Sequence, residues 1–166
     1  MNVKKLTALS SSVALAMVLS FLETLIPPLV SVPGIKLGLA NTVTVFLIYF
    51  FSVREAATVS FIRVCLSSLL FGSTVSLLYS ASGALLSFIG MALIKLLPIS
   101  SPTSVSICGG VLHNAGQIIC AALIMENAAI ALYLPPLIIS GTVTGLAIGA
   151  LAALTLKRLS AIFRKN

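Results

Sequence analysis

Along this chain the apolar residues gather into six long runs, and most polar and turn-forming residues fall between them. The runs cover residues 6–26, 37–52, 54–70, 74–97, 103–125 and 129–156. Their boundaries are helix stops: Pro27-Pro28 after the first run, Phe71-Gly72-Ser73 after the third and Pro98 after the fourth. The second run is short and closes on FLIYFF. Pro135-Pro136 stands near the start of the sixth, where it either bends the helix or delays its entry. The first run, behind Lys4 and Lys5 and with small residues near Ala16, has the look of a signal peptide. It continues to Pro27, however, and about 20 apolar residues is a spanning length. The expected fold is therefore all-α: a polytopic membrane protein, a compact bundle of six transmembrane helices.

Composition strengthens this. Of the 166 residues, 59% are hydrophobic and only 8% charged, where a soluble domain carries about 25% charge. The net charge of +7 is not gathered into a nucleic-acid patch but falls between the apolar runs. With a cytoplasmic N-terminus and six spans, Lys4, Lys5, Arg54, Lys95, Lys157, Arg158, Arg164 and Lys165 all lie at the cytoplasmic face. Lys36 alone lies outside, and Arg63 lies within the third span. The expectation is a multi-pass protein of the cell membrane with both termini cytoplasmic. Residues 1–158 form one transmembrane domain and 159–166 a basic tail. Cys65, Cys108 and Cys120 lie in apolar runs, and the last two would stand about 18 Å apart on one helix, too far to bridge. They read as small packing residues.

Small residues recur at helical spacing. Ala8, Ser12, Ala16 and Ser20 make one smooth stripe on the first helix; Gly141, Gly145, Gly149 and Ala153 make another on the sixth. In lipid such stripes let helices approach closely, either inside the bundle or against another membrane protein. The first stripe starts at the cytoplasmic end, where an energising partner can reach it.

Polar groups at membrane depth are costly and few here. Arg63 stands nine residues beyond Arg54, about 13 Å up the third helix. Glu23 stands near the outer end of the first. The two either pair structurally or contact a ligand. On the fifth helix His113, Asn114 and Gln117 are expected on one face, with Gly109, Gly110 and Gly116 leaving room beside them. They serve interhelical hydrogen bonding or form the polar wall of a pocket. Asn41 and Thr42 open the second helix, as caps or as the floor of a site. Lys36, among Pro33, Gly34 and Gly38, sits in a shaped loop and is either solvated or turned inward. Turned inward, Lys36, Arg63 and His113 suit an anionic or acceptor-rich ligand. A single histidine and scattered cysteines suggest no metal site, and nothing calls for a cofactor.

Enzyme signatures are lacking. No P-loop, G-x-S-x-G or H-E-x-x-H occurs. The chain has no Asp, and its three acidic residues, Glu23, Glu55 and Glu126, are far apart. Chemistry on a prenyl diphosphate commonly needs clustered carboxylates to hold Mg²⁺. The chain reads as a non-enzyme without a nucleotide-binding element of its own.

PGIKLGLAN at 33–41, R-x-C-L-S-S-L-L-F-G at 63–72 and G-G-x-x-H-N-x-x-Q at 109–117 resemble the Gx transporter family, also described as heptaprenyl diphosphate synthase component I. The resemblance covers nearly the whole chain. That family is similar to the substrate-binding S components of energy-coupling factor (ECF) transporters. The resemblance implies a six-helix protein that captures a vitamin or related small molecule. It would dock through small residues of its first helix onto a membrane coupling protein driven by ATPase subunits. It places Lys36, Asn41, Arg63, His113, Asn114 and Gln117 at the substrate site, under a lid formed by residues 27–40. The S-component docking pattern Ala-x-x-x-Ala corresponds here to Ala8, Ser12 and Ala16, with serine in place of one alanine. Two alternatives stand beside this. One is a membrane subunit linked to prenyl diphosphate synthesis; the other is a membrane scaffold of a redox complex.

Overall fold

The computed structural model describes residues 3–26, 38–98 and 100–163, with side chains as far as residue 158. Among these residues six α-helices follow one another: α1 Val3–Leu25, α2 Asn41–Phe50, α3 Val53–Phe71, α4 Thr74–Lys95, α5 Pro102–Ile124 and α6 Leu134–Phe163. A short 3₁₀ helix, Ala128–Tyr133, precedes α6. No strand occurs among the described residues. Four segments are long and apolar enough to cross a membrane: α1, α4, α5 and Ala128–Arg158. The other two helices of the expected six differ. The ten residues of α2 extend only about 15 Å, half the hydrocarbon thickness of about 30 Å. Helix α3 has 19 residues but carries Arg54, Glu55, Arg63 and several serines.

Local chemistry sets the ends. Ser52, Ser73 and Ser101 cap α3, α4 and α5, each hydroxyl accepting from a backbone N–H of the first turn. At α5 the cap is reciprocal: Ser104 N donates to Ser101 Oγ at 3.1 Å, and Ser101 N to Ser104 Oγ at 2.9 Å. Pro102 occupies the first helical position, where its missing N–H costs nothing. Pro135-Pro136 lies in the first turn of α6 and so delays that helix rather than bending it. Ser101→Ala is expected to cost about 1 kcal/mol. A thermal melt in detergent checks this, read by a thiol-reactive dye as Cys65, Cys108 and Cys120, all free thiols, become exposed.

The bundle is apolar on its outer surface and carries many polar groups inside. Leu69, Leu123 and Leu132 are 73–78% exposed, whereas Ser87, Asn114 and Gln117 are wholly buried. Water would reverse that arrangement; hydrocarbon favours it. Helix α5 is the spine, clasped between α4 and α6. The α6 glycine stripe is spent here. Gly141 lies against the Gly110 backbone, Gly145 against Ser106 and Ile107, and Gly149 against Thr103. On the other side of α5, Ser82 Oγ donates to Gly116 O at 3.0 Å. Short α2 is the axis of one half of the bundle and touches α1, α3, α4, α5 and α6. Helix α1, by contrast, touches only α2 and α3 among the described residues.

One end of the bundle is basic. There Lys5 pairs with Glu55, which also accepts from the Ser52 hydroxyl. The Lys95 ammonium sits 3.7 Å from the centre of the Tyr49 ring. These contacts bring together the starts of α1 and α3 and the ends of α2 and α4. Gly149 against Thr103 sets the middle of α6 beside the start of α5, so the later half of α6 runs on toward the same end. Lys4, Lys5, Arg54, Lys95, Lys157 and Arg158 therefore share one end.

Candidate functional site: a polar layer between two apolar cores

Two apolar clusters divide the interior along its axis. The first, toward the basic end, is built on α2 and includes Ala16, Val45, Leu47, Val59, Met91, Val105 and Ala152. The second, beneath the 3₁₀ helix, joins Tyr79, Ile118, Ala121, Ile130 and Leu137. Moving away from the first cluster, the next inward residues on helix after helix are polar or small. They are Ser20 and Glu23 on α1, Arg63 and Ser67 on α3, Ser87, Gly83 and Ser80 on α4, and His113, Asn114 and Gln117 on α5. Asn41 opens α2 at the same level. All of these side chains are buried, Arg63 with 3% and Glu23 with 6% of its surface exposed.

Direct contacts join much of this layer. The Asn41 amide donates to Ser87 Oγ at 3.2 Å, linking α2 to α4. Gln117 Nε2 and His113 Nε2 lie 3.2 Å apart. The His113 ring fits between two glycines: a Cβ on Gly38 would stand 3.0 Å from its Cδ2, and one on Gly83 would stand 3.1 Å from its Cε1. Gly38 also has φ +82°, which side chains disfavour. That turn delivers the chain into α2 at mid-bundle. Glu23 Oε1 accepts from Leu39 N at 2.5 Å, so a carboxylate on α1 anchors the entry to α2 and lies at its positive dipole end. Glu23 also acts electrostatically on Arg63. No salt bridge between these two is found within 4 Å, and the pair is coupled at longer range.

Sequence expectations are modified in three places. Asn41 does not cap α2: the N-cap is Ala40 with no side-chain bond, and the Asn41 side chain turns inward to Ser87. Thr42 Oγ1 donates instead to Leu39 O at 2.6 Å. The fifth-helix trio also divides. Asn114 Nδ2 donates to Leu137 O at 2.7 Å across to α6, while His113 and Gln117 turn toward α4 and Gly38. Neighbouring positions on a helix point about 100° apart, which accounts for the division. On α1, Ala16 and Ser20 are buried in the bundle, and Ala8 and Ser12 are half-buried. Lys36, and residues 27–37 of the expected lid, lie outside the described residues.

The serines of α4 belong to the layer and carried no motif. Ser76, Ser80 and Ser87 are buried with Gly83 and Ala84, and the recurrence of small residues every three to four positions from Ser76 through Ser80 and Gly83 to Ser87 was the available signal. Several buried polar atoms have no hydrogen-bond partner among the described residues, including Arg63 Nη2, Asn114 Oδ1, Ser20 Oγ and Ser80 Oγ. Each such atom costs about 1–3 kcal/mol unless something satisfies it, and a charged one costs more. The layer offers a cation, amide donors, hydroxyls and an imidazole. That set suits recognition of a small, acceptor-rich molecule. No group of three His, Cys, Asp or Glu side chains able to hold a metal occurs among the described residues.

The family model for heptaprenyl diphosphate synthase component I matches residues 13–155. No match is found among the curated proteins or among the solved structures.

Proposed function

We propose that this chain, which belongs to the heptaprenyl diphosphate synthase component I family, is a substrate-binding membrane subunit of the S-component type. It takes up a small organic molecule such as a vitamin or an isoprenoid- or quinone-related precursor. Separate coupling and ATPase subunits supply the energy. The observation that carries this reading is the buried polar layer, with Arg63, Glu23, Asn41, His113 and Gln117 contributed by four helices. A scaffold without a ligand has no need of so many desolvated polar groups. The basic end supports cytoplasmic termini. The starts of α1 and α3 at that same end support six passages of the chain, four of them through helices long enough to span. The outward half of the first small-residue stripe, Ala8 and Ser12, lies toward the basic end, where a cytoplasmic motor's membrane partner would dock.

Native mass spectrometry of the protein purified gently from its own membranes tests this. The expected result is a co-purified small molecule, lost in Arg63→Ala and His113→Ala while the folded protein persists. An empty protein that instead retains stoichiometric partners of another kind, such as a prenyl diphosphate synthase or a redox complex rather than a coupling protein and ATPases, overturns it.

The family description favours one other reading, a membrane subunit attached to a prenyl diphosphate synthase. The chain's carboxylates are dispersed: Glu23 in the polar layer, Glu55 at the basic end and Glu126 beyond the end of α5. A partner would then have to supply the Mg²⁺-binding carboxylates. Diphosphate binding by the purified complex that is abolished by chelator would favour this reading over uptake.

A further inference from the structure

Arg63 is the charge in the polar layer that the chain's own carboxylates do not meet. Its side chain is 3% exposed, and its Nη2 has no hydrogen-bond partner among the described residues. The whole chain holds three acidic side chains, Glu23, Glu55 and Glu126. Glu55 is at the basic end, paired with Lys5. Glu126 is exposed beyond the end of α5. Glu23 acts on Arg63 through space but makes no salt bridge to it. The Glu23 carboxylate is engaged by Leu39 N and by the positive dipole end of α2. No acidic side chain is left to contact the guanidinium. A buried cation without a contacting anion is among the most costly groups a protein can hold. The anion therefore comes from outside the chain.

Its chemistry follows from what surrounds Arg63. A guanidinium fork matches carboxylate and phosphate oxygens alike, so charge decides between them. A phosphate monoester carries about −1.5 to −2 at neutral pH, and a diphosphate carries more. Arg63 is the one Lys or Arg in the layer among the described residues, and the Glu23 charge is near it. The other described cations gather at the basic end; Arg54, the nearest along α3, is nine residues away, about 13 Å. A polyanion here would be under-compensated and repelled by Glu23, whereas a single carboxylate matches a single guanidinium. Neutral donors complete the set: the Ser20 and Ser80 hydroxyls, in the same layer, are also buried without a partner. We propose that the captured molecule is a small monocarboxylate and that Arg63 is its counter-ion. This rests on the capture reading above and names the class of molecule captured.

The whole protein in phosphatidylcholine nanodiscs tests this. Any co-purified molecule is identified by mass spectrometry, is expected to carry one carboxylate, and is dialysed away. The emptied protein then receives an equimolar mixture of aliphatic and aromatic monocarboxylic acids, their primary amides, the matching phosphate monoesters and a prenyl diphosphate. The retained molecules are compared with the input. Acids should be retained about 30-fold or more over their amides, the size of a lost buried charged contact. Arg63→Gln should abolish that preference, and Arg63→Lys, which keeps the charge but not the fork, should restore part of it. Where Arg63→Gln fails to fold, the acid-to-amide ratio of the wild type decides alone. Equal retention of acids and amides overturns the proposal. So do a preference for phosphate or diphosphate, retention of no probe, a neutral co-purified molecule, and a preference that survives Arg63→Gln. The uptake reading fails separately. Acid selection by a protein whose partners are a synthase or a redox complex keeps the monocarboxylate site and removes its role in uptake. A protein with coupling and ATPase partners that captures a neutral molecule does the opposite.

Discussion

Gly141→Leu is expected to prevent assembly of the bundle. In lipid the hydrocarbon is as apolar as leucine, so helices adhere through close packing and hydrogen bonds. The contact between α5 and α6 depends on backbone meeting backbone. A Cβ on Gly141 would lie 2.8 Å from the carbonyl carbon and oxygen of Gly110. Neither atom can rotate away, so α6 as a whole would have to move. That movement would also pull Leu137 O from the Asn114 amide, a buried bond of 2.7 Å. Overpacking a core costs about 1–3 kcal/mol and at times more, and the rigid neighbour places this case at or above the upper end. Gly141→Ala should lower the thermal midpoint clearly, and Gly141→Leu should yield little folded protein. Val143→Ala, at a position 60% exposed to lipid, should leave the melt unchanged. A wild-type melt for Gly141→Leu would mean that α5 and α6 do not meet there.

The helices themselves were legible because lipid imposes long apolar runs and the chain breaks them with proline and glycine. The run expected at 74–97 is the helix Thr74–Lys95, and that at 103–125 is Pro102–Ile124. Helix α2 opens at Asn41, as expected, but the apolar run begins earlier, at residue 37, for a physical reason: Leu39 and Ala40 belong to a turn initiated by Gly38 at φ +82°. Hydropathy does not distinguish an apolar turn buried in the bundle from an apolar helix. The same blindness applies to partners. Glu23 and Arg63 could be flagged as buried charges from depth alone. That Glu23 binds the Leu39 N–H could not, because the bond joins residues 16 apart through a turn with no sequence signature of pairing. Ser80 and Ser87 escaped notice because serine is common in membrane helices. Only their burial alongside Asn41 and His113 sets them apart.

The second large effect is expected at Glu23, and it separates structure from ligand recognition. Among its roles, Glu23 accepts from the Leu39 N–H, and its charge opposes that of Arg63. Glu23→Ala removes both and leaves a guanidinium, 3% exposed, without its counter-charge. Breaking a contacting buried pair from one side costs about 3–5 kcal/mol. Glu23 and Arg63 are not in salt-bridge contact, but the lost acceptor for Leu39 N–H adds to the loss of charge, so this variant should melt well below the wild type. Arg63→Leu should cost less, because the remaining carboxylate keeps its backbone donor at the α2 entry. Replacing a buried pair with apolar groups is often neutral. Adding Arg63→Leu to Glu23→Ala should therefore recover much of the lost stability, apart from the N–H left behind. Binding should follow a different rule. If the guanidinium contacts the substrate, the double variant folds but retains no co-purified molecule. The two readouts, thermal midpoint and bound ligand, then part company in one protein. If Glu23→Ala instead melts like the wild type, the charge of Arg63 is balanced by another group, and Glu23 serves only to anchor the chain where it enters α2.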